Sequence, residues 1–170
     1  KGKFNEMENV SREVQLMLDP SAQVKPAVEG DAQKFGAKDI YDLTWKQLMD
    51  AYSCTECGRC TSECPANQTG KLLSPRKIMM DTRDRLEEVG RGIDKTGKDF
   101  KDDKSLLNYI TEEELWACTS CNACVQACPV NIDPLSIILD LRRYLVMEES
   151  KMPSGLATMF NKIENNGAPW

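Results

Sequence analysis

All eight cysteines of this 170-residue chain fall into two short runs that share one spacing. The first run reads "CTECGRCTSECP" and the second reads "CTSCNACVQACP", so both follow the pattern C-x2-C-x2-C-x3-C-P. Two copies of so tight a pattern constrain the fold strongly, because each copy has to curl three sulfurs toward a common centre. The cysteines are, in chain order, Cys54, Cys57, Cys60, Cys64, Cys118, Cys121, Cys124 and Cys128.

The spacing is typical of iron–sulfur ligation. In two-cluster ferredoxins that carry this run, the fourth cysteine ligates the cluster of the other run. The proline after each fourth cysteine fixes φ and turns the chain away at that point. The sequence therefore predicts two [4Fe–4S] clusters with exchanged ligands. One cluster would be held by Cys54, Cys57, Cys60 and Cys128, and the other by Cys118, Cys121, Cys124 and Cys64.

Two other uses of the cysteines stay open at this stage. A pair of four-cysteine zinc sites is one alternative, since C-x2-C is also a zinc spacing, and the chain would then be a structural interaction module. Disulfides are the other. A disulfide scaffold, however, usually contains roughly 8–10% cysteine, whereas eight of 170 residues are cysteine here.

The composition limits the possible functions. The chain contains no histidine, which excludes Rieske-type ligation and removes the usual proton shuttle from this segment. We therefore expect an electron carrier without a catalytic site. The formal net charge is −5, which speaks against a nucleic-acid surface and favours a partner with a basic docking face. Arg59 stands in the first run where the second has Ala123. A cation there would raise the potential of its cluster, so the two clusters need not be equivalent.

The chain also contains an internal repeat larger than the cysteine runs. The runs align at an offset of 64 residues, and the segments "SPRKIMMDTRDRL" and "DPLSIILDLRRYL" that follow them align at an offset of 59. Each copy is thus a cysteine run, an N-cap residue (Ser74 or Asp133), a proline and an amphipathic helix. Alternation with period two is scarce. We predict an all-α fold in which two pseudo-symmetric repeats face each other around the clusters.

Shorter signals predict the remaining elements and the domain boundaries. Apolar residues at helical spacing or a capping box mark the start of each helix. The predicted elements are a helix over 4–18, helix starts at the capping boxes Thr44–Gln47 and Thr111–Glu114, a helix over 74–90, a solvated loop over 90–105 and a short C-terminal helix capped by Ser154. The predicted domains are an N-terminal helix and strap over 1–37, a dicluster domain over 38–150 and a segment over 151–170 that leads to a further domain or partner.

The quoted motifs resemble the α-helical ferredoxin (4Fe–4S dicluster) domain over about residues 40–150. That domain occurs in heterodisulfide-reductase-related oxidoreductases with CCG domains and in the iron–sulfur subunits of fumarate reductase and succinate dehydrogenase. The resemblance implies an electron-transfer module of a larger heterodisulfide-reductase-like or quinone-linked oxidoreductase. It also implies donor and acceptor partners of the CCG or flavoprotein type, and a membrane reached only through segments outside these residues. Unpaired thiolates favour a reducing compartment, so we expect a cytoplasmic location.

Overall fold

A computed structural model describes residues 14–19 and 34–170 of the chain. Within these ranges the backbone forms α-helices and short 3-10 turns and contains no strand, which confirms the predicted all-α class. Of the helix predicted over 4–18, residues 14–18 are described and helical, and the rest lies outside the described residues. From residue 34 onward the helices are α1 Trp45–Ser53, α2 Arg59–Ser62, α3 Pro65–Gln68, α4 Pro75–Thr96, α5 Glu112–Ala117, α6 Ala123–Ala127, α7 Pro134–Met147 and α8 Ser154–Asn166.

The predicted capping boxes start the two helices that lead into the cysteine runs. At the start of α1, the Thr44 hydroxyl accepts the Gln47 N–H, and the Gln47 side chain accepts the Thr44 N–H at 2.8 Å. At the start of α5, Thr111 and Glu114 make the same reciprocal pair, with the Thr111 N–H donating to Glu114 at 2.9 Å. Both helices end at the first cysteine of their run, so each box fixes where the run begins.

The two longer helices after the runs also begin as the repeat predicts. Ser74 caps α4 and Asp133 caps α7, and in each helix a proline takes the first position. The residue before each cap, Leu73 or Ile132, is buried in the core. Each cysteine run is therefore followed by an apolar anchor and a defined helix start, which fixes the run at both of its ends.

Helix packing repeats the internal symmetry of the sequence. Helix α1 packs on α4 in the first copy, and α5 packs on α7 in the second. Across the copies α4 packs on α7, and the short helices inside the cysteine runs, α2 and α6, pack on each other. The core between α4 and α7 is apolar, and its fully buried side chains include Ile78, Met79, Ile137, Ile138 and Leu141. The two cysteine runs consequently face each other beside one shared core.

Helix α4 is longer than the sequence indicated. The prediction ended it at residue 90, where a solvated loop was expected to begin, but the helix continues to Thr96. A Cβ atom at Gly92 would lie 2.5 Å from the Phe100 ring, so the glycine leaves room for the following loop to fold back on the helix. The predicted loop over 90–105 was therefore wrong in its first half, and only its later residues form a loop.

The start of α8 also differs from the prediction. The N-cap of this helix is Pro153, and Ser154 is its first helical residue without a side-chain cap hydrogen bond. None of the residues of α8 is buried. In the part of the chain that the structure describes, no helix is long and apolar enough to cross a membrane.

A buried arginine joins three segments of the domain. Arg85 on α4 is 1% exposed, and its Nη2 atom lies 2.7 Å from Asp39 Oδ2 and 2.6 Å from Asp102 Oδ1. The same atom donates to the Lys104 carbonyl at 3.0 Å. The two carboxylates raise the pKa of Arg85, so the guanidinium stays charged. Arg85 thereby connects α4 to the segment of Asp39, 46 residues upstream, and to the segment of Asp102, 17 residues downstream.

We expect Arg85→Met to destabilise the holoprotein by about 3 kcal/mol, because it leaves two carboxylates without their buried partner. The matched control is Arg91→Met on the same helix, where an exposed guanidinium lies 3.6 Å from Glu87. That control should change stability by no more than about 0.5 kcal/mol. Both are measured by anaerobic denaturant unfolding, and equal midpoints for the two variants would contradict the role given to Arg85.

Candidate metal centre

Left-handed residues shape each cysteine run. Glu56 and Gly58, at φ 58° and 81°, flank the second cysteine of the first run, Cys57. Ser120 and Asn122, at φ 56° and 62°, stand at the equivalent positions around the second cysteine of the second run. The two backbones therefore make the same paired turn before a short helix, and this turn directs successive N–H groups inward.

The first three cysteines of the first run share a cavity with a cysteine of the second run. The cavity is lined by Cys54, Cys57, Cys60 and Cys128. Apolar side chains form much of the remaining wall, among them Met79, Val130 and Ile132. Burial raises the pKa of Cys60, and the neighbouring charges of Cys54 and Cys128 raise it further. The structure thus brings together the four cysteines that the sequence assigned to one cluster.

The second group contains the two buried cysteines of the chain, Cys64 and Cys124. Burial raises the pKa of Cys124 to about 12, and the charges of Cys118, Cys60 and Cys64 add to the effect. A thiol that coordinates iron is fully deprotonated. Several buried thiolates beside one another are stable only when they share a cation.

Cys121 is placed differently from the other members of its predicted set. It is exposed, and its pKa is lowered because the Ala123 N–H donates to its sulfur. The structure brings Cys118 and Cys64 within electrostatic reach of Cys124. The assignment of Cys121 as their fourth partner remains a prediction from the spacing.

The donor set fits iron–sulfur clusters. All eight cysteines are free thiols, and backbone N–H groups point at several of the sulfurs, including that of Cys121. The Ile132 N–H donates to Cys128 Sγ at 3.3 Å, and the Ser120 N–H donates to Cys118 Sγ at 3.4 Å. Within residues 14–19 and 34–170, no three cysteine or carboxylate side chains are grouped to hold a single metal ion. A four-iron cube instead places one thiolate on each of four separate irons.

An arginine accompanies each run, and neither one stands out from the sequence alone. Arg83 reaches Glu56 in the first run at 2.5 Å. Arg142 donates to the carbonyl oxygens of Leu115 and Cys118 at the second run. The repeat alignment pairs Arg83 with Arg142, so a signal was present in the sequence, but their partners are not apparent from it.

Comparison with known proteins agrees with this centre. Residues 53–132 match the model of the 4Fe–4S dicluster domain. The chain therefore carries a 4Fe–4S dicluster domain, an electron-transfer domain whose cofactors are two [4Fe–4S] clusters. The eight cysteines supply enough thiolates for both.

The relatives are iron–sulfur oxidoreductases and heterodisulfide reductase components. A probable iron–sulfur-binding oxidoreductase, FadF of Bacillus subtilis (strain 168), is 38% identical over 81% of this chain and 24% of its own length. The EtfAB:quinone oxidoreductase of Syntrophomonas wolfei is 32% identical over 90% of this chain and 24% of its own length. A component of the ferredoxin/F(420)H(2)-dependent CoB–CoM heterodisulfide reductase of Methanosarcina acetivorans is 30% identical over 69% of this chain and 60% of its own length. The chain thus spans about a quarter of the length of the first two relatives.

We expect Gly58→Val to destabilise the domain by about 1–2 kcal/mol, because a β-branched residue is strained in the left-handed conformation. The strain comes from the backbone, since an added Cβ would meet only Arg76 Nη1, at 3.8 Å. Gly58→Asn is the matched control, because Asn122 adopts this conformation at the equivalent place. Thermal unfolding and iron content of the two variants are compared. Equal values for Gly58→Val and Gly58→Asn would contradict the explanation.

Proposed function

We propose that residues 38–150 relay single electrons between two [4Fe–4S] clusters with exchanged ligands, flanked by the segments 1–37 and 151–170. The clusters supply one-electron oxidation and reduction, and the chain binds them, spaces them and excludes water. The first cluster is held by Cys54, Cys57, Cys60 and Cys128. The second is held by Cys64, Cys118, Cys121 and Cys124.

The cavity shared by the two runs carries this proposal. Three thiols from the first run and Cys128 from the second line one space, although the chain separates Cys128 from Cys60 by a whole repeat. The packing of α2 on α6 supports the converse placement of Cys64 beside Cys118 and Cys124. The same contact keeps the two centres next to each other, as rapid electron exchange requires.

The surface near the centres supports a relay with separate entry and exit points. Each proposed set of four contains one exposed cysteine, Cys57 in the first and Cys121 in the second. Beside Cys57 a groove runs between α2 and α6, and its walls include Arg59, Glu63 and Gln126. A donor and an acceptor could therefore approach each cluster from outside without unfolding the domain.

The whole protein is proposed to be a larger oxidoreductase of the heterodisulfide-reductase-like or quinone-linked type. The names of the relatives support this, since they refer to a quinone and to a CoB–CoM heterodisulfide. The redox partners would be donor and acceptor domains or subunits, of the CCG type or flavoproteins. A position at the cytoplasmic face of a membrane would suit a quinone acceptor.

Metal and sulfide analysis of anaerobically purified protein tests the cofactor. About eight iron and eight acid-labile sulfide per chain are expected for two [4Fe–4S] clusters. About two zinc and no sulfide would overturn the relay and leave a structural zinc module.

Paired substitutions test the exchanged ligands. Cys54→Ala with Cys128→Ala removes two ligands from one proposed cluster, so about four iron per chain should remain. Cys54→Ala with Cys64→Ala removes one ligand from each, and both clusters should be impaired. The second pair is a matched control, since it removes the same number of thiols, both from a single run. Retention of one intact cluster by the second pair and loss of both by the first would contradict the exchange.

A further inference from the structure

Two arginines occupy equivalent places in the repeats and reach back to equivalent residues. Arg83 on α4 and Arg142 on α7 are related by the offset of 59, and Glu56 and Ser120 by the offset of 64. Arg83 Nη2 lies 2.5 Å from Glu56 Oε1. Arg142 Nη1 lies 3.4 Å from Ser120 Oγ. An arginine thus lies beside each run. It faces a carboxylate at the first run and a hydroxyl at the second.

This difference changes the net charge beside each run. Arg83 is neutralised by Glu56, and Asp84 lies 3.7 Å from it as well. Arg142 donates instead to neutral acceptors, the Leu115 and Cys118 carbonyl oxygens at 2.5 Å and the Ser120 hydroxyl. Among the residues that the structure describes, no carboxylate lies within ion-pair distance of Arg142. One uncompensated positive charge therefore lies at the first cysteine of the second run.

The surroundings of Arg142 preserve the effect of that charge. Its guanidinium stacks over the Trp116 ring at 5.1 Å, and the side chain is half-buried. Burial lowers the pKa of Arg142 while the Cys118 thiolate opposes this change, and a guanidinium remains charged in either case. At the equivalent place in the first run, Tyr52 is 53% exposed. A charge in the drier site acts more strongly on its neighbours, because water screens it less.

Two further cations near the first run, besides Arg83, are exposed. Arg59 and Arg76 both lie at the surface, and Arg76 lines the first cavity. Exposed charges are screened by water and salt, so their influence on a nearby centre is small. The influence of Arg59 on the first cluster stays a prediction, and we expect the half-buried Arg142 to act more strongly.

We propose that Arg142, left uncompensated by Ser120, gives the cluster of Cys64, Cys118, Cys121 and Cys124 the higher reduction potential of the two. Reduction adds one negative charge to a cluster, and a nearby cation stabilises that charge. A single electron therefore passes from the first cluster to the second. The first cluster is oxidised by one electron, the second is reduced by one electron, and no proton moves. This inference rests on the ligand sets of the proposed function.

Exchanging the two partner residues tests the proposal without removing either arginine. Ser120→Glu places a carboxylate opposite Arg142, in a backbone conformation that Glu56 already adopts in the first run. Glu56→Ser removes the carboxylate opposite Arg83. An EPR-monitored redox titration of the anaerobic holoprotein follows both clusters in each variant, and iron and sulfide are counted in the same samples.

We expect Ser120→Glu to lower the reduction equilibrium constant of the higher-potential cluster about tenfold, which is 59 mV for one electron. Glu56→Ser should raise the constant of the lower-potential cluster. Ser120→Gln controls for side-chain size, and Lys162→Gln on the exposed helix α8 makes the same change of net charge as Ser120→Glu far from the runs. Each control should leave both reduction equilibrium constants within about twofold of their values in the unsubstituted protein.

The outcomes separate this inference from the proposed function. With eight iron present, a Ser120→Glu variant that shifts the lower-potential cluster, or shifts neither, overturns the role of Arg142. Equal shifts in Ser120→Glu and Lys162→Gln overturn it too, since net charge alone would then explain the effect. A protein with zinc and no sulfide overturns the proposed function itself, and this inference with it.

Discussion

The packing of two very short helices, α2 against α6, is the contact on which the rest of the domain depends. Neither helix is long enough to be stable alone, since isolated helices below roughly 12 residues are marginal in water. They persist because each is held between a left-handed turn and the helix that follows its run. Their contact places Cys60 beside Cys124 and moves the last cysteine of each run toward the other run. Helix packing and cofactor binding are therefore a single constraint in this fold.

In both copies of the repeat, a capping residue makes a polar contact with the other copy, and these contacts stabilise the packing of α2 on α6. In the first copy the capping residue Gln47 is fully buried and donates to Asp140 of α7 at 2.6 Å. In the second copy the capping residue Glu114 lies 3.0 Å from Lys77, which in turn lies 2.7 Å from Asp81 of α4. Asp81 and Asp140 are equivalent in the repeat. A residue that starts a helix in one copy thus contacts the long helix of the other, Gln47 at Asp140 and Glu114 at Lys77.

Much of the fold could be predicted from local patterns, because capping residues, prolines and cysteine spacing act over a few residues and are visible in the sequence. The errors arose where distant residues decide the outcome. Helix α4 was predicted to end at residue 90, and its extension to Thr96 accompanies the packing of Phe100 on Gly92. The ion pairs of Arg85 with Asp39 and Asp102 join distant segments, so no local pattern indicates them. The different partners of Arg83 and Arg142 are likewise invisible until the turns that carry Glu56 and Ser120 are folded.

The cavity that contains Cys128 has a consequence for how such a domain is made. A ribosome delivers the chain from its N-terminus, and the first three thiols of that cavity emerge long before Cys128. The other proposed set is complete only with Cys124. With the proposed ligand sets, neither cofactor would be fully ligated until nearly the whole helical domain had been translated. Until then, several reactive thiols are without their final partners, and the nascent chain depends on the reducing conditions around it to keep them free.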